Sequence, residues 1–284
     1  MNTLPSTGTN HPPAQMAHIL LPTDLSANSL HAADYATLLC GAEGHTYTLL
    51  CAIANAAGDG PDRSRDLLRL ARHDMHTFAE QFIARTGATD VVQKVVHGML
   101  PLVFTSVVDQ VRAELVVMGK RGATGSALWG SNTTGVIERC QVPVLVVPEL
   151  APLKQVRRIV LADDRKGVTS GALGLLRQLA LINQATIMIV HVKGNNPDFD
   201  GQWSHDAYAE AFDGIDHEFH YARDSDVQDG LVHFAKENHA QLIAVVHRDI
   251  GWFRRLFRPS RTEALALEGE LPLLVLQDRK LTTS

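Results

Sequence analysis

The chain has 284 residues, of which 45% are hydrophobic and 20% are charged. This length suits two domains, and the apolar fraction is typical of a folded globular protein rather than a disordered one. The net charge of −5 excludes a global positive field, so we expect no nucleic-acid partner. The longest apolar runs fall far short of the roughly 20 residues of a membrane helix, so we expect no membrane partner.

The amino-terminal segment and the cysteines help to predict the cellular compartment of the protein. Residues 1–16 are rich in Thr, Asn and Pro and lack the basic-then-apolar order of a secretory signal, so we predict a disordered tail. The three cysteines form no CxxC pair, and an odd number suits a reducing compartment better than a disulfide framework. These features predict a cytoplasmic protein.

Four apolar segments occur twice in the chain, in the same order. The members of each pair lie 127 to 140 residues apart. The pairs are 18–24 with 158–164, 48–53 with 187–192, 113–118 with 240–245, and 142–147 with 271–276. Because this period is the size of a domain, we predict a duplicated domain, with copies at residues 17–150 and 155–279.

Short apolar runs alternate with helical patterns in the first copy. Ser26 is placed to cap a helix that Gly41 ends, Pro61 and Gly87 bound a second helix, and Pro101 opens a third. The strands between them are predicted to be apolar on both faces, as in a parallel sheet covered by helices on both sides. The second copy repeats the order, with strands near 158–163, 186–192, 216–221, 242–246 and 273–276. We therefore predict an α/β fold of two repeated doubly wound, Rossmann-like domains, each with a five-stranded parallel sheet.

Two segments of the first copy are predicted at the sheet edge where ligands bind in this fold class, beyond the carboxyl ends of the strands. Pro22, Thr23 and Asp24 follow the first strand, and the Gly-rich segment 119–132 follows the fourth. Glycines let backbone amides converge on an anion, and Ser131 lies at a predicted helix amino terminus, where phosphate is favoured. Asp24 could accept a hydrogen bond from a ribose hydroxyl or an adenine amino group. The alternative is that the loop only makes a tight turn and Ser131 only caps a helix.

At these residues the sequence resembles a tandem universal stress protein, over residues 17–279. The segment 19–26 resembles the opening strand and acidic adenine-contacting turn of that family, and residues 119–148 resemble its ATP-binding loop and closing strand. The resemblance implies that Asp24 contacts the base or ribose and that Ile53 and Met118 line the adenine slot. It implies that phosphates are held by Gly119, Gly122, Gly130, Ser131 and Asn132.

The loop departs from the family pattern G-x2-G-x9-G-(S/T) in one respect. Residues 123–129 leave seven positions between Gly122 and Gly130. This shorter spacing leaves three outcomes open, which are a different path around the phosphates, a smaller nucleotide, or no binding.

The second copy lacks an equivalent loop. Its segment 247–259 retains only Gly251, and the adjacent carboxylates of Asp163 and Asp164 would repel a triphosphate unless a cation intervened. We predict a structural or regulatory half that binds no ATP. The arginines and aromatic residues of 248–258 suit either a plug in the vacated cleft or a single-stranded nucleic-acid site, and the acidic chain favours the plug.

The sequence offers no motif for catalysis and no metal-ligand set. His217 and His220 lie in a predicted strand, where their spacing points the two side chains to opposite faces. His97 and His191 are interpreted as hydrogen-bonded core or rim residues, and Cys51 and Cys140 as packed thiols. We therefore predict no catalytic residue and no metal site.

Together these features predict a stress-response protein that binds an adenine nucleotide, ATP or another, with or without Mg²⁺, in its first domain. It would act as a regulatory or interaction module rather than an enzyme. The resemblance further implies that the last strands, 144–147 and 273–276, meet in an internal pseudo-dimer, which would bury both sheet edges. A further homodimer is left open and the protein partner is unknown. The alternatives are a nucleotide-free interaction protein and a slow ATP hydrolase of the same fold.

Overall fold

The structure, a computed structural model, describes residues 18–54, 60–120, 131–165, 167–193, 205–247 and 270–278, with backbone only at 131–134. In the first half the strands are β1 (His18–Pro22), β2 (Thr46–Ile53), β3 (Val91–His97), β4 (Leu115–Lys120) and β5 (Val144–Pro148). In the second half they are β6 (Arg158–Ala162), β7 (Thr186–Lys193), β8 (His217–Arg223), β9 (Leu242–His247) and β10 (Leu273–Gln277). The helices are α1 (Ala27–Cys40), α2 (Pro61–Thr86), α3 (Leu100–Val111), α4 (Ser131–Arg139), α5 (Ser170–Asn183), α6 (His205–Ala211) and α7 (Val227–Glu237).

The ten described strands form one sheet in the order β3-β2-β1-β4-β5-β10-β9-β6-β7-β8. All pairs within a half are parallel, whereas β5 and β10 run antiparallel, with Leu145 opposite Leu274. The two halves have the same strand order, counted outward from this central pair. From the centre, the first half runs β5-β4-β1-β2-β3 and the second half runs β10-β9-β6-β7-β8. The predicted α/β fold is confirmed, and the last strands of the two halves pair as expected.

The helix boundaries follow from local signals in the sequence. The Ser26 side chain accepts a hydrogen bond from the backbone N–H of Ser29 and so caps α1. Pro61 opens α2, because its fixed φ suits the first turn and its missing N–H is not needed there. Gly87 ends α2 in the left-handed conformation (φ 72°), which glycine adopts without strain.

The core has two layers, one on each face of the sheet. Successive residues of β1 point to opposite faces, so Ile19 and Leu21 join the layer that contains Phe82, whereas Leu20 joins the layer that contains Phe104. Both layers continue without interruption from the first half into the second. The central strands are thus apolar on both faces, as predicted.

The outer strands β3 and β8 differ from that prediction. Val92 in β3 is 44% exposed and Tyr221 in β8 is likewise 44% exposed. Among the described strands each of these two has a single neighbour, because they lie at the ends of the sheet, and part of each faces solvent. Among the described residues, no helix is both long and apolar enough to span a membrane.

Candidate functional site

The carboxyl edge of the first half has a notch at β1. Pro22, the last residue of β1, pairs with Leu50, and β2 then continues to Ile53. On the other side Leu20 pairs with Val116, and β4 runs on to Lys120. β1 therefore ends short of both neighbours. Because α1 and α3 cover opposite faces of the sheet, the notch lies where the winding reverses, which is the usual ligand position in this fold class.

A network of hydrogen bonds fixes the turn at the base of the notch. The buried Thr23 hydroxyl is 2.7 Å from the Ser29 hydroxyl and accepts a hydrogen bond of 2.8 Å from the backbone N–H of Leu25. Leu25 has a φ of 62°, in the left-handed region that is costly for a branched side chain. This turn holds Asp24 at the exposed mouth of the notch.

The carboxylate of Asp24 is oriented by the start of α1. Its Oδ1 accepts hydrogen bonds from the backbone N–H of Ser26, at 3.1 Å, and from the Ser26 hydroxyl. The charge of Asp24 also affects Cys51 in β2. Burial is the main reason that the pKa of the Cys51 thiol is raised, and the negative charges of Asp24 and Asp74 raise it further. Cys51 therefore stays protonated at neutral pH, which fits a packed thiol rather than a nucleophile.

The end of β4 forms the opposite wall, and here one glycine is required by packing. A Cβ atom on Gly119 would lie 2.8 Å from Nδ2 of Asn28 and 2.9 Å from the backbone carbonyl oxygen of Asn28. Met118, just before it, is buried. The Oδ1 atom of Asn28 is itself buried and has no hydrogen-bond partner among the residues that the structure describes. The sequence patterns did not identify Asn28, although it follows Asp24 by four residues and lies in the first turn of α1.

The structure places the predicted site residues as follows. Pro22, Thr23, Asp24, Ile53, Met118 and Gly119 lie at the carboxyl ends of three adjacent strands. Ser131 and Asn132 form the first turn of α4, whose amino terminus faces the same edge because α4 runs back from β4 toward β5. Gly122 and Gly130 lie outside the described residues. The role of these residues in binding stays a prediction.

The equivalent edge of the second half is built differently. Oδ1 of Asp163 accepts hydrogen bonds from the Tyr208 hydroxyl, at 2.9 Å, and from the backbone N–H of Arg165, at 3.1 Å. Nδ1 of His191 lies 2.8 Å from the Asp163 carbonyl oxygen. Asp163, Asp164 and His191 border a cavity of about 210 Å³. The predicted plug at residues 248–258 lies outside the described residues: Arg248, Trp252, Phe253, Arg254, Arg255, Phe257 and Arg258.

His217 and His220, the spaced histidine pair, both make hydrogen bonds to nearby groups. His217 bonds the carbonyl oxygen of Ile215, and His220 bonds the carboxylate of Glu218. Among the described residues, no group of three or more His, Cys, Asp or Glu side chains could hold a metal ion. Cys40, Cys51 and Cys140 are buried, and none of them forms a disulfide.

The first half is thus a doubly wound α/β domain, and its notch lies where the winding of the sheet reverses. Residues 16–148 match the model of the universal stress protein family. No curated protein sequence matches the chain.

Solved structures resemble the chain in fold. The universal stress protein from Archaeoglobus fulgidus is 18% identical, with a TM-score of 0.71 over 94% of this chain and 98% of that one. A Pseudomonas aeruginosa protein assigned to the same family is 14% identical, with a TM-score of 0.53 over 93% of this chain and 94% of that one. A universal stress protein in complex with cAMP is 26% identical and covers 46% of this chain and 96% of that one, with a TM-score of 0.40. The first two show that the fold extends over both halves.

Proposed function

We propose that the universal stress protein domain binds an adenine nucleotide, ATP or a close relative, in the notch at β1. The observation that carries this proposal is the notch itself. Asp24 lies at its mouth, Met118 and Gly119 form one wall, and the amino terminus of α4 faces the same edge. A carboxylate, an apolar wall and a helix amino terminus match the sugar, the base and the phosphates of a nucleotide in turn.

Each group has a role suited to its chemistry. Asp24 accepts a hydrogen bond from a ribose hydroxyl or from the adenine amino group. The buried Oδ1 atom of Asn28, which has no hydrogen-bond partner among the described residues, is a second acceptor that a ligand N–H or O–H group could satisfy. Ile53 and Met118 pack against the base, while the free N–H groups at the start of α4 hold phosphate, with or without Mg²⁺.

The second half serves as a structural or regulatory partner that binds no ATP. The chain is then a tandem universal stress protein with one nucleotide-binding site. Asp163, the counterpart of Thr23, already accepts two hydrogen bonds from within its own half. The next residue, Asp164, adds a second carboxylate at the edge where a triphosphate would sit.

Nucleotide binding would make the protein a cytoplasmic stress-response module rather than an enzyme. Occupancy can change the surface seen by a protein partner if the nucleotide binds one conformation more tightly than another. A steady release of phosphate from ATP, in proportion to protein, would instead support a slow hydrolase.

Isothermal titration of the full chain with ATP, AMP and GTP tests the proposal. We expect ATP or AMP to bind and GTP to bind more weakly, and we expect Asp24→Asn to weaken binding by about tenfold, the value of one hydrogen bond to a charged group. Asp164→Asn is the matched control, because Asp164 follows β6 as Asp24 follows β1. Equal losses in both variants would contradict the assignment of the site.

A second candidate function is that of a nucleotide-free interaction protein. The observation that favours it is the spacing of the Gly-rich loop, which has seven residues, 123–129, where the family pattern has nine. The same titration separates the two, since absence of binding at millimolar ATP, AMP and GTP would support this alternative.

A further inference from the structure

The turn that follows β1 keeps its conformation against a cost in backbone energy. Leu25 has a φ of 62°, in the left-handed region that L-residues other than glycine rarely adopt. Its backbone N–H donates to the Thr23 hydroxyl, at 2.8 Å, and this hydrogen bond closes the turn. Asp24 lies between the two residues, so the conformation of the turn sets the direction of its carboxylate. A group that fixes the Thr23 hydroxyl therefore also fixes Asp24.

The second half contains the same turn after β6. Arg165 has a φ of 61°, and its backbone N–H donates to Oδ1 of Asp163, at 3.1 Å. Asp163 is the counterpart of Thr23, because β6 occupies in its half the position that β1 occupies in the first. A costly backbone conformation persists only where its surroundings hold it, so each copy of the turn needs a stabilising contact.

The two stabilising contacts come from different helices. In the first half the hydroxyl of Ser29, in α1, lies 2.7 Å from the Thr23 hydroxyl, and both side chains are buried. In the second half the hydroxyl of Tyr208, in α6, donates to Oδ1 of Asp163, at 2.9 Å. The second turn is therefore an internal reference for the first, because its hydroxyl comes from another helix.

The number of hydroxyl protons gives the direction of the hydrogen bonds around Ser29. A hydroxyl has one proton, and that of Ser29 is donated to the backbone carbonyl oxygen of Ser26, at 2.9 Å. The Thr23 hydroxyl then donates its own proton to the Ser29 oxygen while it accepts the N–H of Leu25. One chain of hydrogen bonds thus runs from the Leu25 N–H through two hydroxyls to the cap residue of α1.

Ser26 connects this chain to the carboxylate of Asp24. It donates its backbone N–H, at 3.1 Å, and its hydroxyl to Oδ1 of Asp24. The Ser29 hydroxyl contacts both Ser26 and Thr23, so it joins the two residues that flank the turn. Loss of that hydroxyl would leave the buried Thr23 hydroxyl without its acceptor and would allow the Thr23 side chain to rotate.

We propose that Ser29 is a positioning residue of the notch, which raises nucleotide affinity by holding the turn in the form that presents Asp24. Ser29 is 8% exposed and its hydroxyl serves two protein groups, so it is not itself a contact of the ligand. Without it the turn adopts the competent form for only part of the time, and the apparent Kd rises by the inverse of that fraction. This inference rests on the nucleotide site proposed for the notch, but the effect of Ser29 on the turn can be measured without a ligand.

Hydrogen exchange of the Leu25 amide, followed by NMR in the nucleotide-free full chain, reports on the turn. We expect Ser29→Ala to speed this exchange by about three- to tenfold, the value of one hydrogen bond between neutral groups. The amide of Leu49, fully buried in β2, is the reference for global stability. Unchanged exchange of Leu25 would overturn the proposal, and so would an increase of the same factor at Leu25 and Leu49.

Tyr208→Phe is the matched control, because it removes the corresponding hydroxyl from the turn of the second half. It should leave the exchange of the Leu25 amide unchanged. If Tyr208→Phe speeds that exchange as much as Ser29→Ala does, the effect is not specific to Ser29 and the proposal fails.

A double variant tests whether Ser29 acts through Thr23. Thr23→Val keeps the shape of the side chain but removes the hydroxyl that accepts the Leu25 N–H. Because both residues belong to one chain of hydrogen bonds, adding Ser29→Ala to Thr23→Val should not speed the exchange of Leu25 any further. Additive effects would show that Ser29 does not act on the turn through Thr23.

Isothermal titration with ATP and AMP tests the effect on affinity. Ser29→Ala should weaken binding by about three- to tenfold, and Ser29→Thr, which keeps a hydroxyl, should bind more tightly than Ser29→Ala. Tyr208→Phe should bind as the unchanged chain does. Equal affinity of Ser29→Ala and the unchanged chain, or an equal loss in Tyr208→Phe, would overturn the proposal. If the unchanged chain binds neither nucleotide, the proposed function fails, whereas hydrogen exchange still decides whether Ser29 orders the turn.

Discussion

Gly119 shows how a single residue type is required by a neighbouring helix. A Cβ atom there would lie within 3 Å of both the side chain and the backbone of Asn28, and the backbone of α1 cannot move away as a flexible side chain could. We expect Gly119→Ala to destabilise the protein by about 1–3 kcal/mol, the usual cost of overpacking. Urea unfolding measures it.

The control for that variant is Gly174→Ala. Gly174 lies inside α5 and has nothing within 4 Å of its Cβ position, so alanine should stabilise the helix by about 0.5–1 kcal/mol. A Gly119→Ala protein that is as stable as the unchanged chain would show that Asn28 can move away from β4.

Cys40 makes the stability of the protein depend on pH. Burial raises the pKa of its thiol to about 12, well above the value in an unfolded chain. Between pH ~9 and ~12 the unfolded state therefore binds fewer protons than the folded state, and stability falls as the pH rises by up to about 1.4 kcal/mol per unit. Below pH ~9 this contribution is fully present.

Comparison of the unchanged chain with Cys40→Ala isolates this effect. The alanine variant starts less stable because it loses buried volume, but it should lose less stability between pH 8 and pH 10, by about 1 kcal/mol. Urea unfolding at the two pH values gives the difference. Parallel losses in both proteins would mean that the thiol ionises with an ordinary pKa in the folded state.

At the scale of elements, helix ends are easier to predict than strand exposure. Ser26, Gly41, Pro61 and Gly87 act through hydrogen bonds and backbone angles within a few residues, so their effect can be read locally. Exposure of Val92 depends on β3 being an outer strand, which follows from the order of the whole sheet. Local patterns carry no information about that order.

The candidate site also has parts that the sequence predicts and parts that it does not. The position of Asp24 was predictable, because a residue that follows a buried parallel strand must lie at its carboxyl edge. The notch was not, because it arises from the different lengths of three strands that are far apart in sequence. Asn28 was missed for a related reason, since its importance comes from contact with Gly119 in β4.

Asn183 joins the helices of the two halves. Its side-chain amide donates to the carbonyl oxygen of Leu39 in α1, at 2.8 Å, and to that of Leu179 in its own helix. Asn183 is 3% exposed, so Asn183→Ala leaves a buried carbonyl oxygen in α1 without this donor. We expect a loss of about 1–3 kcal/mol in the free energy of unfolding.

Asn238→Ala is the matched control for this variant. The side-chain amide of Asn238 donates to the carbonyl oxygen of Phe234, one turn back in α7, and among the described residues it makes no hydrogen bond to the other half. It should cost about 1 kcal/mol or less. If the two variants cost the same in urea unfolding, the hydrogen bond between α1 and α5 adds nothing beyond a local one.

At the scale of the whole molecule, the antiparallel pair β5–β10 turns two five-stranded sheets into one. Strands at the edge of an isolated half would expose unpaired backbone groups, whereas here each satisfies the other. The two core layers also run through both halves, and each contains residues from the first half and from the second. These features couple the halves, so we expect the chain to unfold as one unit.

Two core variants test that coupling. Phe82, in the first half, and Phe212, in the second, are both fully buried and belong to the same core layer. Each change to alanine should cost about 3–5 kcal/mol by leaving a cavity. In a cooperative molecule, scanning calorimetry of either variant shows one transition at lower temperature, with calorimetric and van't Hoff enthalpies that agree. Halves that unfold independently would instead give two transitions, of which Phe82→Ala shifts one and Phe212→Ala shifts the other.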